Sequence, residues 1–111
     1  VIPLGLIVNE LITNSLKHAF PKDIKSKPEI TLKMSEREDF YTLRVSDNGV
    51  GIPKEHLSHI FDPFYTTRTG GTGLGLANVE KIVLAHGGRI SVISEIDIGS
   101  CFIISFPIGR R

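Results

Sequence analysis

Apolar residues recur at helical spacing from Pro3 to Phe20, where Leu4, Val8, Leu11, Ile12, Ser15 and Ala19 fall on one broad face at roughly 100° per residue. Glu10, Asn14 and Lys17 fall on a narrow stripe opposite. Pro3 is tolerated in a first helical turn, and Pro21 ends the run. Pro21 to Pro28 is lysine-rich and aperiodic, which predicts a solvated loop. The period then changes to two. Ile30, Leu32 and Met34 alternate with Thr31, Lys33 and Ser35, predicting a strand over Glu29 to Ser35. After a turn at Glu36 to Asp39, Tyr41, Leu43 and Val45 predict its antiparallel hairpin partner over Phe40 to Ser46. Asp47 then stands at the strand's end. Lys54 to Ile60 has room for one or two helical turns, and Phe61 to Thr72 has no regular period. Helical spacing returns over Gly73 to His86 and stops at Gly87-Gly88. Arg89 to Glu95 and Ser100 to Pro107 read as two further strands, joined by a tight turn at Ile96 to Gly99. This order predicts an α+β fold, a two-layer sandwich of a mostly antiparallel sheet with helices on one face.

Composition narrows the function classes. A chain of 111 residues has room for one domain and one sizeable core. Its 13 Lys+Arg against 12 Asp+Glu leave a net charge of +1, which gives no ground for a nucleic-acid or anionic-membrane surface, so any phosphate binding must be local. Cys101 has no partner for a disulfide or metal site, fits a reducing compartment, and is expected in the core. No apolar run approaches a membrane span, and no charged n-region precedes an apolar h-region. A cytoplasmic setting and no direct membrane contact are the expectation. The start at Val1, without Met, suggests a piece of a longer protein.

Two glycine-rich stretches and one helix face carry the candidate chemistry. In Asp47 to Pro53, DNGVGIP, a carboxylate is followed by Gly49 and Gly51, which are expected to adopt positive φ and to leave room for a flat ligand. Taken alone, the stretch is also ordinary turn chemistry. Gly70 to Leu76, GGTGLGL, runs into a helix whose free amides and positive end favour a phosphate. It is neither a P-loop, since no Lys-Ser or Lys-Thr follows, nor the dinucleotide fingerprint, since Leu76 stands where the third glycine belongs. On the first helix, Glu10, Asn14 and Lys17 set a carboxylate, a carboxamide and an ammonium side by side. Asn14 offers a neutral oxygen suited to Mg²⁺, Lys17 can carry phosphate charge, and Glu10 can accept a proton. The irregular stretch FDPFYTTRTGGT has the length of a functional loop, with Phe61 and Phe64 as candidate anchors for the hinge of a lid.

These motifs in this order resemble the ATP-binding catalytic domain of sensor histidine kinases, in the superfamily that also contains DNA gyrase, the MutL repair protein and a heat-shock chaperone ATPase. NELITNSLKHAF looks like the N box, DNGVGIP the first glycine box, FDPFYTT the F box and GTGLGL the second glycine box. The resemblance covers nearly the whole chain, residues 1–111 as one such domain with the Bergerat fold. It implies that ATP and Mg²⁺ are bound, with Asn14 on the metal and Lys17 and His18 near the phosphates. It implies that Asp47 accepts a hydrogen bond from the adenine amino group, with Gly49, Gly51 and Ile52 shaping and lining the pocket. Arg68 would reach the γ-phosphate, and Gly71, Thr72, Gly73, Leu74 and Gly75 would wrap the phosphate tail. Gly99-Ser100 resembles a weaker third glycine element beside the adenine. The implied partners are a histidine-bearing dimerisation domain and, downstream, a response regulator.

The chain departs from the commonest kinase pattern at Glu10, where many such kinases carry asparagine and the ATPase branch carries a water-activating glutamate. Whether Glu10 polarises an incoming histidine, activates water or tunes the metal stays open at this level. Nothing in the chain looks like the acceptor segment. Among its histidines, only His18 is placed in the site; His56 and His59 are expected at the surface, and His86 as a capping or packing residue. An ATPase or protein-serine kinase of the same fold, and a nucleotide-binding regulator without phosphotransfer, are the alternatives.

Overall fold

The computed structural model describes residues 2–23, 27–65 and 75–108. Arg68, Gly71, Thr72, Gly73 and Leu74 lie outside the described residues. The chain runs through α1 (Leu4–His18), β1 (Ile30–Arg37), β2 (Phe40–Asp47), α2 (Lys54–Leu57), α3 (Gly75–Ala85), β3 (Arg89–Glu95) and β4 (Gly99–Pro107). Among the described residues the strands form one sheet in the order β1-β2-β4-β3, with every neighbouring pair antiparallel. α1 and α3 touch each other and pack on β2 and β3, which makes the expected sandwich.

The core follows from alternation along the strands. Leu43 and Val45 of β2 stand opposite Ile104 and Phe102 of β4, and all four are buried. Ile7 and Leu11 of α1 and Val79 and Val83 of α3 close over them. Full burial of side chains such as Ile7 and Leu11 contributes roughly 1.5–3 kcal/mol each, enough to fix α1 on the sheet. The expected face of α1 is the one turned to the core, with Leu11, Ser15 and Ala19 buried and Leu4, Val8 and Ile12 packed beside them, but Ile7, which the spacing left out, is fully buried as well. Of the polar stripe, Glu10 and Asn14 are half-buried and Lys17 is exposed.

Two more local expectations change. Cys101 is half-buried, not in the core, because Phe102 takes the inward position and the pleat turns its neighbour to the other side of the sheet. The β1–β2 turn is only Glu38–Asp39, since Arg37 still pairs with Phe40. Glu38 accordingly has φ 53, as two-residue hairpin turns require. The end of α3 is as expected. Gly87 at φ 74 closes it, with Gly88 N–H donating to the Val83 carbonyl at 2.9 Å and Gly87 N–H to that of Leu84 at 3.0 Å.

Candidate functional site

β2 delivers Asp47 to the point where α1, β4 and the following loop meet. Its Oδ1 accepts from the Gly49 N–H at 2.9 Å and the Ser100 N–H at 3.3 Å, and its Oδ2 accepts from the Ser15 hydroxyl at 3.0 Å. The turn chemistry is real, and it orients the carboxylate. Asn48 faces the other way and ties the loop to the entry of β1: its Oδ1 accepts from the Glu29 N–H at 2.8 Å and its Nδ2 donates to the Lys27 carbonyl at 2.9 Å. Val50 is held on both sides, its N–H donating to the Ala19 carbonyl and its own carbonyl accepting from Asp97, both at 2.9 Å. At the far end the Ile52 N–H donates to Ser94 Oγ at 2.7 Å, and Ser94 Oγ lies 2.8 Å from Ser100 Oγ.

The glycines serve this packing. Only Gly51 has the expected positive φ, at 79°; Gly49 does not. A Cβ at Gly49 would lie 2.3 Å from the Ala19 carbonyl oxygen, and one at Gly51 would lie 2.3 Å from that of Glu95. The space left by each missing side chain is thus filled by protein backbone rather than kept for a ligand. Gly99 completes the set: its φ is 140°, and a Cβ there would lie 2.0 Å from the Asp47 carbonyl oxygen.

On α1, Asn14 is half-buried beside Ser15, with Glu10 one turn earlier and also half-buried. Lys17 and His18 occupy the last turn, where positive charge suits the helix end. Glu10 reaches α3: a Cβ on Gly75 would come 2.7 Å from Glu10 Oε2. The polar stripe and the start of α3 are therefore neighbours. A groove of about 200 Å³ between the two helices is lined by Leu6, Glu10, Asn78, Val79, Lys81 and Ile82. It meets Glu10 but not Asp47.

Beyond α2, Phe61 packs edge-on against Phe102, with ring centroids 6.4 Å apart, and anchors this stretch to the core. Phe64 does not: it is 73% exposed, on a backbone with φ 68°. Tyr65 takes that place, hydrogen-bonded to His56 Nδ1 and stacked on the His59 ring at 5.3 Å. His59 is exposed as expected and pairs with Asp62 at 2.9 Å, whereas His56 is half-buried. His86 caps α3, its Nδ1 lying 2.8 Å from the Ile82 carbonyl oxygen.

Three side chains that hold this arrangement together were not among the expected site residues: Ser15, Ser94 and Asn48. Ser15 carried a signal, a hydroxyl within an otherwise apolar helix face. Ser94 and Asn48 carried none, since serine and asparagine near turns are common. As for a metal, no group of three or more His, Cys, Asp or Glu side chains is assembled among the described residues. Mg²⁺ keeps several waters and bridges to phosphates, so a single carboxamide such as Asn14 with Glu10 nearby fits such an ion.

The family described as histidine kinase-, DNA gyrase B- and HSP90-like ATPase matches residues 1–110. Sensor protein RprX of Bacteroides fragilis is 39% identical over 90% of this chain, and sporulation kinase D of Bacillus subtilis is 36% identical over 92% of it. The chain spans about a fifth of the length of these curated relatives, 21% and 20% respectively. Among solved structures, a mycobacterial sensor histidine kinase, MprB, superposes with a TM-score of 0.78 at 26% identity, over 94% of this chain and 71% of the other. A nucleotide-free catalytic domain of histidine kinase ThkA also gives 0.78, at 30% identity, over 94% and 65%.

Proposed function

Because this chain belongs to the histidine kinase-, DNA gyrase B- and HSP90-like ATPase family, we propose that it binds ATP with Mg²⁺ and transfers the γ-phosphoryl group to a histidine on a dimerisation domain of a longer sensor kinase. A response regulator would act downstream. The observation that carries the reading is the Asp47 carboxylate. An ionised carboxylate offers about four lone-pair sites, all acceptors. Gly49 and Ser100 occupy Oδ1, and Ser15 occupies part of Oδ2. A remaining acceptor site on Oδ2 suits the amino N–H of adenine.

The other roles follow from chemistry and position. Asn14 would hold the metal through its carboxamide oxygen, and Lys17 and His18 would lie against the phosphates. Bound Mg²⁺ neutralises charge that develops on the phosphates. Glu10 would accept the proton of the attacking imidazole nitrogen. Gly75, with Gly71, Thr72, Gly73 and Leu74 before it, would line the phosphate tail, and Arg68 would meet the γ-phosphate. Gly49, Gly51 and Ile52 would form the adenine pocket by holding the loop that carries Asp47.

Calorimetry of Asp47→Asn tests the reading. The substitution keeps the shape, turns an acceptor into a donor, and should weaken ATP binding by roughly ten- to a hundredfold, the worth of a hydrogen bond to a charged group. Unchanged affinity would remove adenine from this pocket. Asn14→Ala, or chelation of Mg²⁺, should weaken ATP while leaving adenosine binding intact. Labelled ATP with a purified histidine-bearing dimerisation domain then distinguishes phosphotransfer from nucleotide binding alone.

A further inference from the structure

Ser15 is 2% exposed, in the middle of the face that α1 turns to the sheet. A buried hydroxyl without a partner costs roughly 1–3 kcal/mol, so a serine between Leu11 and Ala19 needs one. Its hydrogen bond is the 3.0 Å donation to Asp47 Oδ2. The geometry points to Ser15 as a positioning residue for base recognition: by occupying one acceptor site of Oδ2, it fixes the plane of the Asp47 carboxylate and leaves a single acceptor facing the base. This rests on the assignment of Asp47 to the adenine amino group.

The second torsion of an aspartate side chain is broad and roughly two-fold, so contacts to one oxygen alone leave the carboxylate plane loosely defined. Gly49 and Ser100 both reach Oδ1. Among the described residues, only Ser15 reaches the oxygen that would meet the ligand. It does so from α1, held on the sheet by Ile7 and Leu11, so the clamp is stiff. A base with an N–H donor at this position gains a preformed acceptor. A base with a carbonyl oxygen there meets lone pairs it cannot pair with.

The test is a comparison of ATP with purine riboside triphosphate, which lacks the 6-amino group, by calorimetry on the chain and its Ser15→Ala variant. The unmodified chain should prefer ATP by about tenfold or more. In Ser15→Ala that preference should fall by at least about threefold, through weaker ATP binding with little change for the analogue. Ser15→Cys, of similar size and a weak donor, should behave like the alanine variant while filling the same space. Equal losses for both ligands, or an unchanged preference in a variant that melts like the parent, would show that Ser15 only packs and would overturn the inference. No preference in the unmodified chain would overturn the Asp47 assignment itself, and Ser15's role with it.

Discussion

Asp47 ties three elements together before any ligand is considered, and the residues around it are constrained to match. Gly51 is the sharpest case. Alanine there would have to hold φ near 79° with its Cβ 2.3 Å from the Glu95 carbonyl oxygen. Gly51→Ala should destabilise the chain by more than about 1 kcal/mol, read as a lower urea midpoint at unchanged slope. A midpoint equal to the parent's would mean that the loop relaxes freely around Glu95. At this scale the residue types were legible in the sequence, but their purpose was not. Asp-Asn-Gly announces a turn, yet nothing local says that Gly49 is small because Ala19 lies against it. The contacts that decide this come from residues about thirty and forty-five positions away, so no local pattern encodes them.

Among the elements, the stretch after α2 separates anchor from surface. Phe61 meets Phe102 edge-on, whereas Phe64 is 73% exposed. Phe61→Ala should cost roughly 1–3 kcal/mol, less than full burial would cost because Phe61 is half-buried. Phe64→Ala should stay within about 0.5 kcal/mol. Chemical denaturation of the two variants checks this, and equal losses would mean that Phe64 also packs. The sequence placed both aromatics in one irregular segment with equal claims. Periodicity distinguishes inside from outside only where the backbone repeats, and here it does not. α1 shows the same limit more mildly. Its helical period was plain from Pro3 to Phe20, but the choice of Ile7 over a neighbouring position for the core depends on where the sheet lies.

For the whole molecule, the proposed ATP binding predicts a gain in stability, because a ligand that binds only the folded chain stabilises it by mass action. At a hundred times its Kd, ATP with Mg²⁺ should add about 2.7 kcal/mol. With about 4 °C per kcal/mol at this size, Tm should rise by about 10 °C. Asp47→Asn, at the same ATP concentration, should lose about half of that rise or more. A melting point insensitive to ATP in the unmodified chain would contradict the nucleotide assignment at the level of the entire fold. The sequence by itself determined the class of this protein. Alternation and helical spacing are local, and they laid out an α+β sandwich, with two glycine stretches and a carboxamide helix in the order of a sensor-kinase ATPase domain. What only the tertiary structure decided is how the pieces meet: Ser15 with Asp47, Ser94 with Ile52, and Glu10 with Gly75. Those pairs are set by the packing of α1 and α3 on a sheet whose strands pair out of sequence order, and a linear pattern does not carry that distance information.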